Sequence, residues 1–157
     1  MQRSLGLVGA LLLLFCAVSF AQIQPAPADV TAEAQAGVTA FLKGQVQAWN
    51  RGDLKAFMEG YWKSPEVVFV SGTHYWRGWD LINRWYHNGY DNGGSEMGKM
   101  AMGWSSPIHV LAPDLAYVDG DFQLTTSDGK QDRRNFSLIL RKFPEGWRIV
   151  HDRTCSD

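Results

Sequence analysis

The chain has 157 residues, with 15 Lys plus Arg against 16 Asp plus Glu and a formal net charge of −1. That length suits one ordinary domain and is short for two. The charges of both signs are interspersed, which excludes a basic stripe for nucleic acid and a polybasic membrane patch.

The opening stretch "MQRSLGLVGALLLLFCAVSFAQ" has a basic residue, Arg3, then an apolar run from Leu5 to Val18, then small residues Ser19 and Ala21. That pattern predicts a signal peptide, residues 1–21, cut after Ala21, with an apolar run too short to span a bilayer well. Lipid attachment at Cys16 is disfavoured, because the bulky Phe15 precedes it. The expectation is export, to a periplasm or outside the cell, with no membrane span in the mature chain. Cleavage would also remove Cys16 and leave Cys155 alone, so no intrachain disulfide is expected and Cys155 reads as a solvated thiol in preference to an intermolecular bridge. "QIQPAPADV" (22–30) reads as a proline- and alanine-rich linker, and residues 31–157 as the domain.

A helix is predicted over 31–50, where Val38, Phe41, Leu42, Val46 and Trp49 form one apolar stripe. Asn50 and Gly52 stop it. Asp53 suits the N-cap of a second, shorter helix carrying Leu54, Phe57, Met58 and Tyr61, ended by Ser64-Pro65. Residues 66–78 change to a β period and predict a small hairpin broken at Ser71-Gly72. A third helix runs from Asp80 to Tyr90, with Leu81, Ile82, Trp85 and Tyr86 inward, and "DNGG" (91–94) is a loop. Four strands are then expected over 97–110, 115–126, 131–143 and 146–153, separated by Pro113-Asp114, Asp128-Gly129 and "FPEG". Pro107 lacks a ladder donor and predicts a bulge or edge. Helices first and antiparallel strands after argue for an α+β fold, with three N-terminal helices on one face of a strongly curved sheet. Such a cone has an open mouth where a ligand would sit.

Three stretches carry a resemblance: "FLKGQVQAWNRGDLKAFMEGYWKSPEVVFVSG", "RGWDLINRWY" and "GWRIVHDRT". They resemble the SnoaL-like branch of the nuclear transport factor 2-like superfamily, over about residues 37–154. The resemblance implies a cone-shaped α+β barrel, commonly a homodimer through the sheet. It implies no single activity, since relatives include isomerases, dehydratases, cyclases and non-catalytic binding domains. Many members end "HDHTS", whereas Arg153 here replaces the second histidine.

Strict strand alternation puts Trp147, Ile149, His151 and Arg153 on one face, and Arg148, Val150 and Asp152 on the other. On that basis His151 and Arg153 are the candidate pocket pair, and His151 with Asp152 is no dyad unless a bulge intervenes. Arg153 would disfavour the protonated imidazole and keep His151 available as a base. Asp119 and Asp121 share a strand face, either as acid–base carboxylates inside the cone or as solvent-facing groups around Gly120. His74, His87, His109 and His151 show no metal-ligand spacing, so neither metal nor cofactor is expected. Asp53 reads as a helix cap, and no serine or cysteine nucleophile has a supporting motif.

Tyr61, Trp62 and Trp76 are expected at the mouth, against a small apolar or cyclic molecule, with Tyr61 also a hydrogen-bond donor. Trp49 and Trp85 read as core. Arg134 or Asn135 faces inward, depending on a parity that "NFSLIL" leaves open. Three functions follow: a small-molecule-binding domain, a cofactor-free isomerase, dehydratase or cyclase using His151, Asp119 or Asp121, or a structural dimerisation module.

Overall fold

The structure is a computed structural model in which residues 28–90, 97–104 and 107–156 are described. The predicted signal peptide, most of the linker and the "DNGG" loop lie outside the described residues. Helix α1 spans Ala28–Asn50, so the last residues assigned to the linker form its first turn. Helix α2 is Leu54–Met58 and α3 is Trp79–Tyr90. The strands are β1 (Val68–Ser71), β2 (His74–Arg77), β3 (Lys99–Gly103), β4 (His109–Ala112), β5 (Leu115–Thr125), β6 (Gln131–Phe143) and β7 (Gly146–Ser156). The strand expected over 97–110 is therefore two, with Pro107 just before the second.

The seven strands make one curved, unclosed sheet in the order β2-β1-β7-β6-β5-β3, with β4 also on β5. One pair departs from the antiparallel expectation: β1 runs parallel to β7, with Phe69 opposite Asp152. The helices pack on the inner face. Their stripe is the predicted one, with Val38, Leu42 and Trp49 buried. Leu81 differs: it is 47% exposed, while its neighbour Ile82 is fully buried.

The segment "WNRGD" is a clamp. The Trp49 indole donates to the Met97 carbonyl at 2.8 Å. Asn50 makes two bonds to the Met100 backbone, donating from Nδ2 at 2.9 Å and accepting at Oδ1 at 2.7 Å. Gly52 turns the chain with φ +73°, a conformation that suits glycine. Asp53 then caps α2 by accepting from the Ala56 amide at 2.9 Å. Beyond α2, the chain lies alongside β7. The Ile149 amide donates to the Gly60 carbonyl, and the Trp62 amide donates to the Ile149 carbonyl. That short ladder holds Tyr61 against the inner face of the sheet.

On β7 the predicted alternation fails at one residue. Ile139 pairs with His151, but Leu140 pairs with Ile149, so Val150 is an extra residue in β7. This β-bulge inverts the parity of everything after it. Trp147 and Ile149 are buried before it, and Asp152 and Thr154 are buried after it. His151 and Arg153 are accordingly turned to the outer face, which corrects their expected orientation.

Among the described residues no helix is long and apolar enough to cross a membrane.

Candidate functional site

A cavity of about 70 Å³ lies between the helices and the inner sheet face. Its walls are largely rings and aliphatic chains: Trp49, Phe57, Phe69, Trp85, Tyr86 and Tyr90, with Met100, Phe122 and Leu138 from the sheet side. The rings pack edge to face on one another, as Trp49 does on Phe57 at 5.0 Å and on Tyr90 at 4.9 Å. Gln45, Tyr61, Ser71, Arg134, Asp152 and Thr154 add polar groups to this lining.

Asp152 is the chemical centre. It is 4% exposed. Tyr61 Oη donates to its Oδ2 at 2.5 Å, and Tyr86 Oη lies 3.0 Å from Tyr61 Oη. Tyr61 has one proton and gives it to the carboxylate, so Tyr86 donates to Tyr61. The second carboxylate oxygen, Oδ1, is buried without a hydrogen-bond partner, and so is Gln45 Oε1. Burial pushes the Asp152 carboxyl up to about 7, with the Tyr61 bond acting against it. Burial and the nearby Asp152 charge push both phenols well above the ordinary tyrosine range. The phenols therefore remain donors at neutral pH, and Asp152 is the group in this cluster that titrates there.

The rim is half-buried. Arg134 reaches it from β6, held to Asp132 at 2.9 Å and to Ser71 Oγ at 3.3 Å. This resolves the open parity: Arg134 shares the inner face with buried Phe136, Leu138 and Leu140, and Asn135 points outward. The even-numbered apolar residues of β6 carried that signal, which Ile139 on the outer face obscured.

The other candidates are placed as follows. Tyr61 lines the cavity, at its inner end rather than at a mouth. Trp62 stacks on Phe143 at 5.4 Å, apart from the lining. Trp76 stacks on Phe69 at 5.3 Å, behind a wall ring rather than on the cavity. Trp49, in the core as expected, and Trp85, half-buried against it, also line the cavity. Asp119 accepts from Ser137 Oγ at 2.6 Å and Asp121 from Arg133 at 3.0 Å, both on the outer face. Buried Ala116 and Val118 alternate with them and point inward. His151 is half-buried on that outer face, and burial, then Arg153, holds its imidazole below its usual value. Arg153 is exposed. The structure thus brings together Tyr61 and Arg134 from the predicted set, and leaves His151, Arg153, Asp119, Asp121, Asn135, Trp62 and Trp76 off the cavity. The sequence reading missed Asp152, Tyr86 and Gln45. A bulge hid Asp152, and β7 has no glycine or proline near Val150 to announce it.

A family model described as a SnoaL-like domain matches residues 38–154. Among solved structures, an NTF2-like protein of unknown function from Shewanella oneidensis is 29% identical. It matches with a TM-score of 0.72, over 77% of this chain and 98% of that one. An NTF2-like superfamily protein from Salmonella enterica is 24% identical with a TM-score of 0.62, covering 80% and 92%. A ketosteroid isomerase-like protein from Erwinia carotovora is 21% identical with a TM-score of 0.64, covering 79% and 96%. The last two likenesses speak for the fold alone. A comparison with curated proteins found no match.

Proposed function

The chain belongs to the SnoaL-like domain family, and we propose that it binds a small, largely apolar molecule in its cone cavity. The observation that carries this is Asp152, which lines a largely apolar cavity and whose buried Oδ1 is an acceptor without a partner. An unmade hydrogen bond at a buried carboxylate costs about 1–3 kcal/mol or more. A ligand that completes it recovers that energy. The size is a constraint: 70 Å³ is less than the roughly 150 Å³ that holds a benzene. A compact ligand fits, and a steroid-sized one would need the half-buried rim rings Trp85 and Tyr90 to move.

The test is a thermal-shift panel of small alcohols, ketones, amines and hydrocarbons, each more compact than benzene. A ligand at 100 times its Kd adds about 2.7 kcal/mol, a rise of several degrees. The expected hit weakens in Asp152→Asn. Silence across the panel, or a hit indifferent to Asp152→Asn, would sink the proposal.

A second reading is cofactor-independent acid–base catalysis, an isomerase or lyase reaction. The carboxyl held at about 7 favours it, because such a group exchanges protons readily near neutrality. Asp152 then takes the role first sought in His151, Asp119 or Asp121. With a true substrate, Asp152→Asn should cost at least ~100-fold in rate.

Export through residues 1–21 and pairing of two copies by the outer sheet face complete the proposal. N-terminal sequencing of the mature protein and its mass in solution test these two points. A purely structural module is less favoured, because the cone is not packed solid.

A further inference from the structure

The polar atoms of the cavity narrow the ligand further, and the step rests on the binding proposal above. Asp152 Oδ1 and Gln45 Oε1 are both acceptors, both buried and both unpartnered. Both residues line the same cavity. The cluster's own donors are already committed: Tyr86 to Tyr61, and Tyr61 to Asp152 Oδ2. No donor reaches either of the two free acceptors.

No positive charge pairs with the Asp152 carboxylate either. The groups facing Asp152 are Tyr61 beyond α2, Tyr86 on α3, Phe69 on β1 and Leu138 on β6. Among the described residues none of these is a cation, and no ion pair reaches the carboxylate. Arg134, the nearby cation at the rim, is held by Asp132. A fully desolvated carboxylate without a counter-ion must take up a proton or find a cation. The walls suit the second course, since ring faces attract cations and do so more strongly away from water.

We propose that the cavity takes a small organic ammonium ion, whose N–H groups bond the free acceptors of Asp152 and Gln45 while its apolar part lies against the rings. An ammonium group carries up to three donors, which a ketone lacks entirely. It also supplies the charge that neither a ketone nor an alcohol brings. Gly60 leaves the room that the Gln45 amide occupies, since a Cβ there would collide with it.

Three small probes of one shape separate the cases: isopropylammonium, isopropanol and acetone. Binding is followed by titration calorimetry and by the indole NMR signals of Trp49 and Trp85. An alkylammonium keeps its charge to about pH 10. Only ionised Asp152 pairs with it, so its affinity follows the ionised fraction. For a carboxyl titrating at about 7, that is a gain of ~30-fold from pH 5.5 to pH 8. The expected result is that the ammonium binds most tightly, gains affinity with pH, and loses it in Asp152→Asn and in part in Gln45→Leu. If Asp152→Asn fails to fold, the pH profile of the unaltered protein decides. Should acetone bind as well as the ammonium, or the ammonium bind less well as pH rises, the inference is overturned while the cavity proposal stands. If none of the three nor propane moves the Trp signals, the cavity proposal fails and the inference falls with it.

Discussion

His151 and Asp152 are adjacent in the chain and face opposite sides of the sheet. One meets the outer face beside Ile139, and the other accepts a hydrogen bond from buried Tyr61, itself bonded to Tyr86. The bulge at Val150 decides which goes where. With strict alternation the histidine would enter the cavity beside Trp147 and Ile149. With the bulge the acid does.

Asp152 should make stability depend on pH. Its folded value of about 7 lies above the ordinary carboxylate value of 3.8, so the native state holds the proton more tightly. The contribution is fully present below about pH 4 and is lost as pH rises through about 7. At 1.36 kcal/mol per pH unit, the loss is on the order of 4 kcal/mol. Urea unfolding of the ligand-free protein should show a lower midpoint at pH 8 than at pH 5. Asp152→Asn should flatten that slope and be the more stable form at pH 8. A wild-type midpoint that stays level, or rises, would contradict the buried, unpaired carboxylate.

Tyr61→Phe removes the hydrogen bond that favours the ionised carboxylate. The Asp152 titration should move further up, above about 7. Carbon-detected NMR of the carboxyl group reads this directly. Because Tyr86 loses its partner too, stability at pH 5 should fall by about 1–3 kcal/mol. A downward move of the titration would mean that the tyrosine does not donate to this oxygen.

Gly60 leaves room for the Gln45 side chain, and Gly60→Ala fills that room. Overpacking of this kind costs about 1–3 kcal/mol. In a Gln45→Ala background the same change should cost much less, because the obstructing amide is gone. A double-mutant cycle measures the difference, and additive costs would refute the contact.

Asn50→Ala should cut both bonds to Met100 and loosen β3 from α1. Buried donors and acceptors left unmade cost about 1–3 kcal/mol each. Hydrogen exchange at the Met100 amide, which Asn50 Oδ1 accepts, should quicken well beyond any change at Leu138 in the sheet centre. Equal acceleration at both positions would instead indicate a global loss.

Much of the architecture was legible because it rests on local chemistry. The α1 stripe, the Asp53 cap, the hairpin at Ser71-Gly72 and the Asp128-Gly129 turn follow from periodicity and turn residues. The family resemblance added the cone. The site was less legible for reasons that differ by residue. Asp152 depends on an insertion in register, which only pairing with β6 defines. Tyr86 and Gln45 lie on separate helices, and only the fold brings them to one cavity with Tyr61. Arg134 was half legible, since the apolar set Phe136, Leu138 and Leu140 fixes its face once Ile139 is set aside. Trp62 and Trp76 were misjudged because an aromatic ring in a sequence looks the same whether it meets a ligand or another ring.

Strand β7 is the last described element, yet it lies between β1 and β6. Until residues 146–156 are in place, the hairpin β1–β2 has no neighbour to join it to the rest of the sheet. The link between β1 and β7 spans some eighty positions along the chain, and contacts that distant are slow to form. The cavity and its acid should therefore appear together and late, in the same step that completes the sheet. Partly assembled chains would then present the ring-rich inner face to their surroundings, so a helper that shields such surfaces should raise the yield of folded protein more than it raises the final stability.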